Sequence, residues 1–322
     1  MLANHNNLFI FSFNMNIKFL LKRAIVFWAL PILPVFFLSK YDNLDKLYNQ
    51  DNNVASLQNK AKFDSLDILF IGNSYCYSGI IPAYFDSIGL KTYNLGIATA
   101  GPYFYEMLVN DYLAHCKQKP KSIYFLVSPT TFSLMSDNFL AYPIHRYINK
   151  NFSNEAITFK YNLYNVYLDM VQKSLKKGYT GIKENNNKIA INESLLLSKG
   201  FYKITDTCTE TTIKNTQNLY LPLANDAFSQ IKLKHLLNFA ATLKSQNINL
   251  VFFDLPTFKL TSYFKASFLD DYSNAVSDLK KQFNFMSIDS NLSQNSFRNI
   301  DHLNFNGAKW VTKKMVNNIS SK

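Results

Sequence analysis

Cysteine and histidine are scarce in this sequence, and their scarcity excludes several kinds of site. The 322 residues include 3 cysteines, Cys76, Cys116 and Cys208, and no Cys-x-x-Cys pair. An odd number without that spacing excludes a disulfide framework and a cysteine-rich zinc site, and leaves a single bridge open. The 5 histidines include no His-x-x-x-His ligand pair. We therefore expect no metal centre, and we predict no cofactor.

Acidic residues are outnumbered by basic ones, 22 against 34, which gives a formal net charge of +12. The lysines and arginines are scattered singly and in pairs, without a basic stripe interleaved with aromatics and without the signature of a nucleic-acid module. The sequence therefore predicts no nucleic-acid partner. A cationic surface that faces anionic lipid or an envelope polymer fits the pattern better.

One uncharged run near the amino terminus directly follows a group of cations. Residues 24–39 carry no charge and follow three cations, Lys18, Lys22 and Arg23. This pattern is typical of a signal-peptide core or a short signal anchor, and no small-x-small cleavage motif follows it. Two prolines and the terminal position argue against a buried core helix. We predict a cytoplasmic leader over 1–23, a single transmembrane signal anchor in membrane lipid, and a main domain outside the cytoplasm, periplasmic or extracellular.

Beyond a polar linker at 40–62, residues 63–322 form one predicted domain in which strand and helix signals alternate. Strands are predicted at 66–71, 92–97, 122–127, 249–255 and 283–288, and helices at 80–88, 103–117, 228–245, 272–282 and 309–319. A βαβαβ beginning implies an α/β fold with a parallel sheet and helices on both faces. Residues 130–225 are less regular, with a helical patch at 161–177, and we interpret them as an insertion over the active edge of the sheet.

The first predicted strand ends in Gly72-Asn73-Ser74. A strand that stops at Gly-x-Ser places a hydroxyl at the carboxyl edge of a parallel sheet, where open α/β folds bind their ligands. Ser74 is therefore a candidate nucleophile. The alternative is that Ser74 is only a helix N-cap, which is a common role for serine.

A histidine follows the last predicted strand, in the loop Asn299-Ile300-Asp301-His302. This loop also belongs to the carboxyl edge, so residues distant in sequence can meet there. His302 could serve as a general base to Ser74. The alternative is a buried histidine whose ring is satisfied by a carbonyl group.

Three sequence blocks in this order resemble the SGNH (GDSL-type) hydrolase superfamily, over about residues 63–322. The blocks are Gly72-Asn73-Ser74, Asn94-Leu95-Gly96 and Asp301-His302-Leu303-Asn304-x-x-Gly307. Together with an amino-terminal anchor, they more narrowly resemble envelope proteins of the alginate O-acetylation and teichoic-acid D-alanylation type.

The resemblance implies a three-layer α/β/α flavodoxin-like sandwich that cleaves or transfers acyl esters. Ser74 would be the nucleophile, and His302 the general base that later returns the proton to the leaving group. The oxyanion would be bound by the Ser74 backbone N–H and by N–H groups of the turn from Thr99 to Gly101.

Two positions depart from the family pattern. The family's acid stands three residues before the histidine, where this chain has Asn299, and Asp301 is the alternative acid. The third block, usually Gly-x-Asn-Asp, is replaced by Val127-Ser128-Pro129-Thr130-Thr131, so Ser128 or Thr130 would have to replace the missing oxyanion donor.

The sequence thus predicts a membrane-anchored, extracytoplasmic serine esterase or O-acyltransferase. Its partner would be an acylated glycan or a related cell-envelope polymer. One alternative is a catalytically weak scaffold that binds a glycan or a membrane-bound acyltransferase, and another is a soluble lipase or thioesterase.

Overall fold

The computed structural model describes residues 65–97, 100–133, 198–220, 226–288 and 291–321. The strands are β1 Ile68–Gly72, β2 Thr92–Gly96, β3 Ser122–Leu126, β4 Asn249–Phe253 and β5 Asn284–Met286. The α-helices are α1 Ser74–Gly79, α2 Ala83–Asp86, α3 Pro102–His115, α4 Glu210–Tyr220, α5 Gln230–Ser245, α6 Ala266–Gln282 and α7 Phe305–Ser320. Short 3-10 turns cover Pro129–Phe132, Leu260–Tyr263 and Gln294–Ser296.

The predicted leader, anchor and linker and the helical patch at 161–177 lie outside the described residues. Within those residues, no helix has the length and apolar character needed to cross a membrane.

All five strands run parallel in the order β2-β1-β3-β4-β5. This is the 2-1-3-4-5 order of flavodoxin-like doubly wound folds. The chain winds to one side of β1 with β2 and to the other side with β3, so the order reverses next to β1. The end of β1, where Ser74 begins α1, therefore lies at the topological switch point. The predicted parallel α/β sheet is confirmed.

Two apolar cores lie on opposite faces of the sheet, because successive strand residues point to opposite sides. Leu69 and Ile71 of β1 belong to one core, which includes residues of α3 and α5. Ile68 and Phe70 belong to the other, which includes residues of α1 and α7. Helices therefore cover both faces of the sheet, which is the three-layer α/β/α arrangement.

Several element boundaries differ from the prediction because local capping moves them. The helix predicted at 80–88 is limited to α2, and a separate helix, α1, precedes it and ends where Ile80 is extended (φ −116°, ψ 123°). Proline at position 82 then precedes α2. The last helix was predicted from residue 309 but begins at Phe305, because the Asn304 side chain accepts hydrogen bonds from Asn306 N and Gly307 N.

Residues 198–208, here called the edge segment, run along β2 towards the closing loop. Asn94 N donates to the Lys199 carbonyl at 3.0 Å, so the segment covers the outer edge of β2. Farther along, Phe305 N donates to the Ile204 carbonyl at 2.6 Å. This part of the predicted insertion thus packs beside the sheet and links its edge strand to the start of α7.

Candidate active site

The turn after β1 is capped by Asn73, so Ser74 is the first residue of α1. Asn73 Oδ1 accepts a hydrogen bond from Tyr75 N at 3.0 Å. The alternative interpretation of Ser74 as the N-cap is therefore wrong. Ser74 is half-buried, and its hydroxyl takes part in none of the hydrogen bonds between described residues. A hydroxyl that is not used for capping is available for chemistry.

Two glycines allow this turn to sit tightly against the sheet. A Cβ added to Gly96 would lie 2.4 Å from Tyr77 N and 3.0 Å from the Asn73 carbonyl oxygen. A Cβ added to Gly72 would lie 2.5 Å from Cys76 Cβ. The strands that end in these residues, β1 and β2, therefore need glycine there for the close approach of α1.

Asn94, from the second sequence block, holds the end of α1 on β2. Its side chain is fully buried. Nδ2 donates to the carbonyls of Cys76 at 2.8 Å and Ile80 at 3.0 Å, and Oδ1 accepts from Gly96 N at 2.9 Å. Asn94 therefore packs α1, the helix that begins at Ser74, against β2.

His302 is oriented by the residue directly before it. Asp301 Oδ1 lies 2.6 Å from His302 Nδ1, and Asp301 is only 1% exposed. Asn299 has a different role, because its Oδ1 accepts from His302 N at 2.8 Å and from Asp301 N at 3.4 Å. Of the two candidate acids, the structure thus places Asp301 on the imidazole, while Asn299 shapes the turn. A buried carboxylate on Nδ1 favours the tautomer whose Nε2 can accept a proton.

Tyr75 links the serine turn to the histidine loop, and it was not among the residues predicted from the sequence. Its hydroxyl donates to Asp301 Oδ2 at 3.0 Å, and its ring meets the His302 ring edge-on, with centroids 4.9 Å apart. Because Tyr75 directly follows Ser74, these contacts bring the serine turn and the histidine loop to one place. The only signal in the sequence was its position next to the candidate nucleophile.

Ser128 lies beside the serine turn in a cluster of hydroxyl groups. Asn73 Nδ2 donates to Ser128 Oγ and to Thr130 Oγ1, each at 3.2 Å, and those two oxygens are 2.9 Å apart. Ser128 N also donates to Thr131 Oγ1 at 3.0 Å, which closes the 3-10 turn after β3. The Ser128 hydroxyl is thus engaged within the protein, and its role as an oxyanion donor stays a prediction.

Of the predicted oxyanion turn, Thr99 lies outside the described residues and Gly101 lies inside them. Gly101 is buried and precedes the first residue of α3 with extended backbone (φ −120°, ψ −175°). Its N–H therefore has no role in the helix ladder. It follows β2 at the same sheet edge as Ser74, and its role as a donor to an oxyanion stays a prediction.

Cys76 lies two residues after Ser74 but is not a second nucleophile. It is fully buried, and its Sγ donates to Asn94 Oδ1 at 3.3 Å. Burial raises the pKa of the Cys76 thiol well above its ordinary value. Because the thiolate is the reactive form, this thiol should be inert.

We expect maleimide to modify the half-buried Cys116 in the native protein and to leave Cys76 unmodified. Peptide mass mapping after timed labelling measures this, and labelling in urea provides the control in which all 3 cysteines react. Native labelling of Cys76 as fast as that of Cys116 would contradict the assignment of Cys76 as a packing residue.

Among the residues that the structure describes, no group of three or more His, Cys, Asp and Glu side chains could hold a metal ion.

No protein-family model and no curated protein matches this sequence. Similar solved structures include a protein named as lipolytic, of the G-D-S-L family, from Desulfitobacterium hafniense DCB-2, with a TM-score of 0.39 and 10% identity over 79% of this chain and 98% of that chain. A GDSL-like lipase from Bacteroides thetaiotaomicron VPI-5482 has a TM-score of 0.39 and 10% identity over 84% of this chain and 98% of that chain. A protein named as an acylhydrolase from Bacteroides fragilis NCTC 9343 has a TM-score of 0.39 and 11% identity over 82% of this chain and 94% of that chain.

Proposed function

We propose that this protein is a serine esterase or acyltransferase of the SGNH type, with Ser74 as nucleophile, His302 as general base and Asp301 as the acid that orients it. The observation that carries the proposal is the 2.6 Å contact between buried Asp301 Oδ1 and His302 Nδ1. Tyr75, the residue next to Ser74, contacts both members of that pair. A serine, a histidine and a carboxylate in this relation are the parts of an acyl-transfer site.

In the proposed reaction, His302 Nε2 removes the proton from Ser74 Oγ as that oxygen attacks the ester carbonyl. Asp301 stabilises the imidazolium that forms. The backbone N–H groups of Ser74 and of the Thr99–Gly101 turn would bind the oxyanion. His302 then protonates the leaving alcohol, and an acyl-serine remains. Water or an acceptor hydroxyl attacks it, with His302 again taking the proton, so hydrolysis and transfer use the same residues.

The proposed substrate class is an acylated cell-envelope polymer that meets a domain held outside the cytoplasm by an anchor at 24–39. The uncharged run after three cations and the net charge of +12 support this proposal. A membrane-bound acyltransferase is the proposed partner if the reaction is a transfer. Release of the full chain from membranes by alkaline carbonate would contradict the anchor.

The contact of Asp301 with His302 favours catalysis over the scaffold alternative. That alternative depended on Asn299 standing where an acid was expected and on the missing third block. Asp301 answers the first of these points, since it supplies the carboxylate that Asn299 lacks.

A fluorophosphonate probe tests the nucleophile. We expect the wild-type protein to be labelled and the Ser74→Ala variant to show no labelling, because the probe bonds only to an activated serine oxygen. Tandem mass spectrometry of the labelled peptide identifies the modified residue.

Ser87→Ala is the matched control, since Ser87 is an exposed serine whose hydroxyl bonds only locally, to the Tyr84 carbonyl. It should be labelled as the wild type is. Equal labelling of Ser74→Ala and wild type would remove Ser74 as nucleophile.

A further inference from the structure

We propose that Tyr75 is a positioning residue that holds the Asp301 carboxylate against His302, and that the hydroxyl cluster of Ser128, Thr130 and Thr131 supports Tyr75 in that role. This inference rests on the proposed function, because it assigns a support to the acid of the same site. It also gives a role to the two positions at which the sequence departs from the SGNH pattern.

The two oxygens of the Asp301 carboxylate contact His302 and Tyr75 separately. Oδ1 contacts His302 Nδ1 at 2.6 Å, and Oδ2 accepts the Tyr75 hydroxyl at 3.0 Å. The Asp301 side chain has no exposed surface, so water does not supply its hydrogen bonds. A buried carboxylate needs protein donors, and removing one leaves an oxygen unsatisfied.

The place of Asp301 in the sequence explains why it needs this support. Adjacent side chains do not share a direction by default, as successive residues of a strand show, so an acid directly before the histidine does not face the imidazole without further support. Asn299 holds the backbone of the loop by accepting from His302 N at 2.8 Å. That bond does not fix the Asp301 side chain, whereas the Tyr75 hydroxyl holds its second oxygen.

Tyr75 is itself well placed to donate. It is 5% exposed, and its ring packs against the His302 ring with an interplanar angle of 71°. Burial, followed by the neighbouring Asp301 charge, raises the pKa of the Tyr75 phenol well above its ordinary value, against an opposing hydrogen bond with the Thr130 side chain. The phenol therefore stays protonated and remains a donor at any pH at which an esterase would work.

Hydroxyl groups in the segment after β3 also support the position of Tyr75. Thr130 Oγ1 accepts from Asn73 Nδ2 at 3.2 Å, and Asn73 Oδ1 in turn accepts from Tyr75 N at 3.0 Å. Ser128 Oγ lies 2.9 Å from Thr130 Oγ1 and 3.1 Å from Thr131 Oγ1. Where the family pattern has an oxyanion donor, this chain has hydroxyl groups that hold Asn73, the residue whose side chain caps α1 and fixes the backbone of Tyr75.

Tyr75→Phe tests the proposal, since it removes the hydroxyl and keeps the ring that packs on His302. We expect kcat for p-nitrophenyl acetate to fall about 10- to 100-fold, the scale for losing a hydrogen bond to a charged group, with KM within about twofold of wild type. The second readout is the downfield NMR resonance of the His302 Nδ1 proton, which reports its contact with Asp301. This resonance is assigned by its absence from the spectrum of the Asp301→Ala variant. It should be lost or broadened in Tyr75→Phe.

Tyr124→Phe is the matched control. Tyr124 is also a buried tyrosine, 6% exposed, and its ring packs against Phe70 in β1, away from the histidine loop. It should retain both the wild-type kcat and the downfield resonance.

Retention of either the wild-type kcat or the resonance in Tyr75→Phe would overturn the proposal. If wild-type protein shows neither ester turnover nor probe labelling, the proposed function fails, and the resonance alone decides whether Tyr75 positions Asp301. Should Tyr75→Phe fail to fold, Thr130→Val is the second variant. We expect it to lower kcat in the same direction but less, and an unchanged kcat there would count against the role of the hydroxyl cluster.

Discussion

Replacing Asp301 with asparagine should lower kcat/KM for an aryl ester by about 10,000-fold, the scale known for loss of a triad aspartate. An amide in place of the carboxylate can present its NH2 group to His302 Nδ1. That contact favours the tautomer with the proton on Nε2, which cannot accept a proton from Ser74. The 2.6 Å contact and the burial of Asp301 make this the most sensitive polar position in the site. Initial rates with p-nitrophenyl acetate, alongside circular dichroism to verify folding, measure the effect.

Adding Asn299→Asp to Asp301→Asn tests whether position 299 can supply the acid. If position 299 supplied the acid, as the SGNH pattern implies, the double variant Asn299→Asp/Asp301→Asn would recover activity. We expect no recovery, because Asn299 Oδ1 is directed to the backbone N–H groups of His302 and Asp301. Recovery to within tenfold of wild type would move the acid to position 299.

Gly96→Ala should lower the free energy of unfolding by about 1–3 kcal/mol, as overpacking of a tight site does, and should slow fluorophosphonate labelling of Ser74. The added methyl would lie 2.4 Å from Tyr77 N and 3.0 Å from the Asn73 carbonyl oxygen. Both are backbone atoms of the turn and helix that carry Ser74. A change of side-chain rotamer therefore cannot relieve the contact. Urea denaturation and the rate of probe labelling measure the two effects.

Gly89→Ala is the matched control for steric crowding. Gly89 has φ +76°, and nothing lies within 4 Å of a Cβ added there. Alanine at that position should cost stability through its backbone conformation alone. Labelling of Ser74 should be unchanged. If Gly89→Ala and Gly96→Ala slow labelling equally, close packing at Gly96 does not position the serine.

Much of the sheet was predictable because its strands are short apolar runs that end at glycine or at a polar turn. β1, β2 and β3 were expected within two residues of their observed bounds, and the parallel α/β class is confirmed. Ser74 and His302 were candidates for the same reason, since each lies just beyond a strand end. A parallel sheet brings such ends to one edge, whatever their separation in sequence.

The role of each side chain in the site was not predictable in the same way. Spacing alone left Asn299 and Asp301 as equal candidates for the acid, and only rotamers and burial distinguish them. Tyr75 gave no signal beyond its position next to Ser74, because its partner Asp301 lies 226 positions away along the chain. Ser128 stays a predicted oxyanion donor, and only the structure shows that its hydroxyl contacts Asn73, Thr130 and Thr131.

The sequence by itself determined the order of strands and helices, the absence of a cysteine framework, and the two loops in which a nucleophile and its base could stand. These follow from local patterns of apolar residues, glycine and capping side chains, which act over a few positions. The tertiary structure alone decided which carboxylate faces the imidazole, what holds that carboxylate, and that Asn73 rather than Ser74 caps the helix. Such choices depend on hydrogen-bond geometry between segments that meet only after the sheet has formed.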